Sequence, residues 1–438
     1  MREAIREHTA RRGLLWASFL AVHAWNALVG IAMLARAFGD LELYRYWMWL
    51  GVDHGWWPVL DTTSVYPAGA VLPQLVAAVG GLQSGVGYAV AWCLMVTALD
   101  AAALLVLLRR PHGMAGAWWW TAFLLLLGPV GMGRLDAVVV PIMLAALLWA
   151  LDRPAVAAVL LTAGAWIKVA PGALLWPLFA VARRPWREVL APAVGLSALV
   201  VGTVMVVGDG RHILSFLTDQ GGRGMQLEAV GATPWLLASV ATPAITRVDN
   251  RALNDWELHG WGTQAATVAL GGLFAVGMVL VAGLVWWRRE RRGDCWSSDR
   301  AGAAELVVRG ALLVTVAMIV LDKVGSPQYM TWLAPPVVAA LGLGLPGWRR
   351  TARWVLVVAG VTQAVFPWLY PGITAGLGIP ATVLAARNVI LVVLLAWTAR
   401  AIVTGAAVAD HVHRRTDPSS SGTDGHGAPV RAPLTKRA

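Results

Sequence analysis

Apolar runs of about 18 to 25 residues recur along most of this chain, and a helix of that length covers the ~30 Å hydrocarbon core of a bilayer. No other feature constrains the fold as strongly, because backbone polar groups inside lipid need internal partners and a single helix supplies all of them. Of the 438 residues, 58% are hydrophobic and 13% are charged, so spans take up most of the sequence. The reading is an all-α polytopic membrane protein.

The formal charge of +11 would suit a nucleic-acid binder, but the arginines gather in short clusters between apolar runs. The positive-inside rule predicts that placement, so the basic excess reads as topology and nucleic acid is set aside. The two cysteines, Cys93 in an apolar run and Cys295 in a basic loop, support neither a disulfide framework nor a thiolate metal site. Of nine histidines, three lie in the C-terminal tail and the others are scattered, so no metal ligand set is expected. The first run, about Leu14 to Ala35, is too long for a signal sequence and reads as a span.

Counting from the basic segment 1–13 on the cytosolic side gives twelve crossings through residues 14–406, with both termini cytosolic. Residues 36–66 and 208–260 become long external loops. Pro67 to Gly81 reads as a re-entrant or surface-lying element, and Thr233 to Ala241 as a short segment against the membrane. The firmest anchor is Arg288 to Arg300, which carries five arginines. Residues 407–438, rich in Ser, Gly and Pro, are expected to be a disordered cytosolic tail. Pro154 to Val181, with Lys168 and Pro171 in its middle, is expected to form two short membrane segments that meet at an external turn.

On this count the charges that interrupt the apolar runs all fall on the external face: Asp40, Arg134 with Asp136, Lys168, and Asp322 with Lys323. Ionisable groups so close to hydrocarbon are costly and tend to be paired or functional. Asp40, just beyond the first span, has the position of a general base or of a helix cap at Leu41; Asp61 rivals it as base. Arg134 and Asp136 read either as site residues or as an ion pair within their turn. Lys168 reads as a point charge for a phosphate or as a snorkelling side chain. Asp322 and Lys323 are open to the same choice between site and salt bridge. The 25 Trp largely fit interfacial belts, with Trp56 or Trp57 the candidates for stacking on a sugar.

An ordered set of short motifs runs through the chain: Asp40-x-x-x-Tyr44, Val65-Tyr66-Pro67-Ala68, Gly133-Arg134-Leu135-Asp136, and Lys168-x-x-Pro171. It continues with Arg223-Gly-Met-Gln226-Leu-Glu228 into Ala232-Thr233-Pro234-Trp235, then Ser326-Pro327-Gln328-Tyr329, Gln363 to Pro367 and Arg387-Asn388. In that order, over nearly the whole chain, these motifs resemble the GT-C glycosyltransferases of family 87. Val-Tyr-Pro-Ala stands where the family often has Tyr-Pro-Pro, and Gly133-Arg134 where Gly-Gln is common.

The resemblance implies a GT-C-like bundle in the plasma membrane with its active site on the external face. It implies transfer of a sugar, mannose or alternatively arabinose, from a polyprenyl-phosphate donor to a cell-envelope lipid or glycan. The reaction would invert the anomeric centre and use no metal, the lipid-linked sugar being a co-substrate rather than a cofactor. Asp40 would be the base, and Lys168, Arg223, Lys323 and Arg134 would face the donor phosphate. Tyr44, Asp61, Tyr66, Asp136, Gln226, Glu228, Asp322, Gln328 and Tyr329 would contact substrate. The competing expectation is a multi-span transporter or lipid flippase that uses the same charges without cleaving a bond.

Overall fold

A computed structural model of the chain describes residues 2–34, 36–250, 255–292 and 299–405. The expected tail, 407–438, and Cys295 lie outside the described residues. Helices dominate. The first four are α1 (Arg2–Ala32), α2 (Gly39–His54), α3 (Val71–Ala77) and α4 (Gly85–Leu107). The next five are α5 (Gly113–Leu127), α6 (Leu135–Trp149), α7 (Pro154–Ile167), α8 (Ala170–Ala173) and α9 (Leu175–Val181). After α10 (Ala191–Val207) come α11 (Ser215–Gly221), α12 (Thr233–Ala241) and a two-stranded hairpin, β1 (Ile245–Asn250) and β2 (Asp255–Gly260). The chain ends with α13 (Thr263–Arg292), α14 (Arg300–Leu321), α15 (Ala334–Leu343), α16 (Arg349–Gln363), α17 (Tyr370–Thr374) and α18 (Gly378–Thr404).

Eight of the described helical stretches are long and apolar enough to cross a membrane, and five shorter apolar ones accompany them. Helix α14 forms the axis of the bundle, enclosed by α9, α13, α15 and α18 and buried on nearly every side. By contrast α10 and α13 leave apolar side chains such as Val206 and Val279 on the outside, as helices facing lipid do. Capping follows local chemistry: Ser84 accepts the Gly87 N–H at the start of α4, and Asp299 accepts that of Gly302 at the start of α14.

Three local breaks position the site. In a helix continued past Ile167, the Pro171 ring would collide with the Ile167 carbonyl. Lys168 therefore adopts an extended conformation (φ −148°, ψ 131°) and the helix restarts at Ala170. Phe366, held extended by the following Pro367 (φ −127°, ψ 121°), ends the run that begins at α16. The last helix starts at Gly378 and runs to Thr404.

The segment 208–260, expected to be a loop, contains α11, α12 and the hairpin. Strand β1 carries Ile245, Thr246 and Val248, β-branched residues that suit a strand, and pairs antiparallel with β2 in a register that sets Val248 opposite Glu257. Helix α12 packs against α18 and β1. The same segment is joined to the bundle at Gly325, whose N–H donates to Gln226 Oε1 at 3.0 Å. A Cβ on Gly325 would lie 2.3 Å from the Ala229 nitrogen and 2.4 Å from the Glu228 carbonyl carbon. Only a hydrogen fits between these two backbones. Gly325→Ala is expected to destabilise the fold by about 1–3 kcal/mol, as overpacking does, seen as a lower unfolding midpoint in detergent.

Candidate functional site

One cavity, about 810 Å³, collects residues from seven separate stretches: around Asp40, Tyr66, Arg134, Lys168, Arg223 to Trp256, Gly325 to Tyr329, and Phe366 to Thr374. Its position against α2 is fixed by one ring. Phe38 is fully buried, and its side chain fills the space where a Cβ on Gly30 of α1 or on Gly133 ahead of α6 would stand, at 2.0 and 2.2 Å. Two glycines thus admit the aromatic that seats the start of α2. Asp40, in the first turn of that helix, then faces Arg134.

The Asp40 Oδ2 lies 3.2 Å from Arg134 Nε, with both side chains largely shielded from solvent. Asp40 makes no capping bond to its own helix. Arg134 Nε is buried, and its N–H is aimed at no acceptor, so the contact is one of charge proximity. The expected pairing of Arg134 with Asp136 inside the turn is not what forms: Leu135 opens α6, and Asp136, one helical residue later, points to a different partner.

That partner is Lys168, whose Nζ is 3.2 Å from Asp136 Oδ2. The other carboxylate oxygen accepts the Trp332 indole N–H at 2.7 Å. Lys168 also stands 5.1 Å from the Tyr66 ring centre and 5.4 Å from that of Tyr329, inside cation–π range. Tyr329 in turn stacks on Trp332 at 4.3 Å. The extended break at residue 168 therefore delivers the ammonium group into an aromatic frame at the cavity wall, with a buried carboxylate behind it.

Opposite this cluster is the hairpin side. Arg223 Nη1 is 3.5 Å from Asp255 Oδ2, and Gln226 donates to the same oxygen. Arg223 Nε is buried without an acceptor, as is that of Arg134. Burial pushes the Asp255 carboxyl above the usual carboxylate range, although Gln226 and Arg223 oppose it. Burial also acts to raise Glu257, but hydrogen bonds from His259, the Gly224 N–H and Asn250 outweigh it and hold this carboxyl low.

Glu228 is raised by burial against the pull of Arg387. Arg387 reaches from α18 to Glu228 Oε2 at 3.1 Å and to the Glu228 carbonyl at 2.9 Å, and it also contacts Asn388 Oδ1. The Asn388 amide donates to Thr233 at 2.8 Å. This clamp ties the last helix to the hairpin segment, so Glu228, which borders the cavity, is committed to a structural pair.

Asp40, Tyr66, Arg134, Lys168, Arg223, Gln226, Glu228, Gln328 and Tyr329 all border the cavity. Tyr44, Asp61, Asp136, Asp322 and Lys323 do not. Tyr44 is buried behind Tyr66, their hydroxyls 3.5 Å apart, and Asp136 is buried beneath Lys168. Asp61 accepts the Trp57 N–H in an exposed turn, away from the cavity. Asp322 caps Val324, with burial raising its carboxyl, and the Lys323 carbonyl accepts from Gln226. Trp56 is exposed and the Trp57 ring packs over Gly51; the tryptophans at the cavity are Trp47 and Trp256.

Arg36, Asp249, Asp255 and Tyr370 also border it, although none carried a sequence signal beyond its loop position. Sequence also misses a buried pair outside the cavity, His23 Nε2 to Asp100 Oδ2 at 3.0 Å between α1 and α4. These two positions interrupt the apolar runs as singly as Lys168 does. Among the described residues, no group of three or more His, Cys, Asp or Glu side chains is arranged to hold a metal ion.

Comparison with protein-family models gave no match, and none of the curated proteins compared is similar in sequence. Removing Lys168 would leave Asp136 buried with only the Trp332 N–H. Lys168→Met is expected to lower stability by about 3–5 kcal/mol. Adding Asp136→Asn should recover part of the loss, which a double-mutant cycle on unfolding midpoints in detergent measures.

Proposed function

We propose that this chain is an integral membrane glycosyltransferase of GT-C type, transferring mannose from a polyprenyl-phosphate donor to a lipid or glycan acceptor at the external face of the plasma membrane. The observation that carries the reading is one cavity, about 810 Å³, whose charged wall includes the Asp40 carboxylate and the cationic side chains of Arg134, Lys168 and Arg223, beside Arg36, Glu228, Asp249 and Asp255. Cavities of this size suit a compact organic group.

The chemistry follows from the charges. Asp40 takes the proton of an acceptor hydroxyl; the oxygen attacks the anomeric carbon from the face opposite the phosphate; the carbon–oxygen bond to phosphate breaks, and polyprenyl phosphate leaves with the electron pair. The configuration inverts. Negative charge grows on the leaving phosphate, and fixed cations in a site shielded from water stabilise it.

Arg134 and Arg223 both border the cavity, and their guanidinium groups supply fixed positive charge for that phosphate. Lys168 is already engaged by Asp136 and contributes field more than an open bond. Trp47 and Trp256 offer ring faces for the sugar. The mechanism as written runs without a metal ion.

Topology supports the same reading. In the twelve-crossing count, the segments around 36–66, 134, 168, 208–260, 322–328 and 370–387 all fall outside, and each of these regions contributes to or adjoins the cavity. Arg110, Asp152 and Arg300, which the count places together on the other side, form their own ion-pair cluster. A second reading, a transporter, is favoured by the His23–Asp100 pair within the apolar lengths of α1 and α4. That pair does not border the cavity.

The test uses purified protein with polyprenyl-phosphate mannose and a mixed envelope-lipid acceptor. Asp40→Asn should cut the transfer rate by about 10²- to 10⁴-fold, and Asp61→Asn should leave it near wild type. Arg134→Gln should slow the chemical step by about 10²-fold. No transfer from any polyprenyl-phosphate sugar, together with counterflow of a solute, would replace this reading with the transporter.

A further inference from the structure

A second, smaller cleft lies between the ends of α13 and α18 and the start of α14, lined by Arg288, Arg292, Glu305, Leu306, Arg309 and Ile402. Three guanidinium groups face one carboxylate there. Glu305 has no free oxygen to offer: Oε1 pairs with Arg309 and Oε2 accepts the Trp348 indole N–H at 2.8 Å. Asp299, just outside, is likewise engaged, Oδ2 by Arg292 at 2.9 Å and Oδ1 by the Gly302 N–H at 2.8 Å. Arg309 is further fixed against the Trp348 ring at 4.6 Å.

Arg288 is the exception. It is half-buried and has no hydrogen bond or ion pair among the described residues. Its neighbours at the end of α13 are held on tryptophan faces, Arg289 over Trp286 and Arg291 over Trp287. Room for its guanidinium comes from Gly405, where a Cβ would lie 2.0 Å from the Arg288 Nη2. Gly405 also has φ +63°, so a side chain there is disfavoured twice. The fold keeps open a place for a cation and, among the described residues, pairs it with no carboxylate.

We infer that this cleft binds the phosphate headgroup of an anionic membrane lipid. The cleft encloses about 20 Å³, room for one water-sized group, so a single phosphate oxygen enters and the rest of the headgroup stays at the mouth. Helices α13, α14 and α18 are three of the long apolar helices, and the cleft lies where their apolar lengths end, at the depth of lipid phosphates. Arginine forks match phosphate oxygens bidentately. The site is separate from the cavity of the proposed transferase and does not depend on that assignment.

Native mass spectrometry of the full-length protein in detergent, with equal phosphatidylglycerol and phosphatidylcholine, tests the inference. Wild type is expected to retain phosphatidylglycerol about tenfold over phosphatidylcholine and to lose that preference as salt rises. Arg288→Gln should reduce the preference at least about threefold, while Arg349→Gln, an equal loss of charge at an exposed site, leaves it unchanged. Should Arg288→Gln not fold, Arg288→Lys keeps the charge but loses the fork, and an intermediate preference is expected.

Equal effects of Arg288→Gln and Arg349→Gln would make the binding a property of the whole basic surface and overturn the site. So would an unchanged preference in both Arg288 variants. Stabilisation by inorganic phosphate alone, equal to that by phosphatidylglycerol, would make the occupant a soluble anion and overturn the lipid assignment.

Discussion

A carboxylate buried among apolar helices sets the terms for the rest of this structure. Asp136 is almost fully removed from solvent at the head of α6, and an uncompensated charge in such a place costs several kcal/mol. Lys168 and the Trp332 indole N–H meet that cost, one oxygen each. Lys168 reaches Asp136 because the α7–α8 break at residue 168 turns its backbone extended, and Trp332 reaches it because the entry to α15 is a tight helical turn. Three distant segments are thereby fixed around one point. The tyrosines that flank the ammonium, Tyr66 and Tyr329, belong to two of the cavity's walls.

The remaining charges of the cavity follow the same logic at lower stakes. Asp40 is set beside Arg134 by the ring of Phe38, and Arg223 beside Asp255 by the hairpin. The Glu228–Arg387 clamp holds that hairpin segment to the last helix. Each pair takes one partner from a connection and another from a helix or a strand, so the cavity's polar groups are ordered by the fold itself. In the proposed reaction that order matters twice: the base is fixed relative to the acceptor, and cations are held where phosphate charge would grow.

Helix α7 shows what could be read from residues alone. Its end follows from Pro171, since the ring clash four residues back is a local rule, and a turn between two short segments in this stretch was expected. The hairpin was not legible: its strands are short and polar, with no sustained alternation to separate them from loop. Asp40, Arg134 and Lys168 were legible as charges out of place beside hydrocarbon, whereas Arg223 stood out only through the motif resemblance. Their pairing was not, because Arg134 and Asp136 are neighbours in sequence yet leave their turn in different directions. Asp61 was only the rival of Asp40, and Trp56 or Trp57 was preferred to Trp47 for stacking; in the fold Asp40 and Trp47 border the cavity and Asp61, Trp56 and Trp57 do not.

By itself the sequence determined that this chain is helical and built for a membrane, since the length and continuity of its apolar runs admit little else. It also determined which ionisable residues are anomalous and where the helices must break, because both depend on a residue and its immediate neighbours. Only the tertiary structure decided which charges meet, which of them face open space and which are spent on holding the bundle together. Coulomb energy in a low-dielectric interior depends on distances of a few ångströms between segments that may be a hundred or more residues apart, as with Glu228 and Arg387. Hydropathy along the chain carries no such distance.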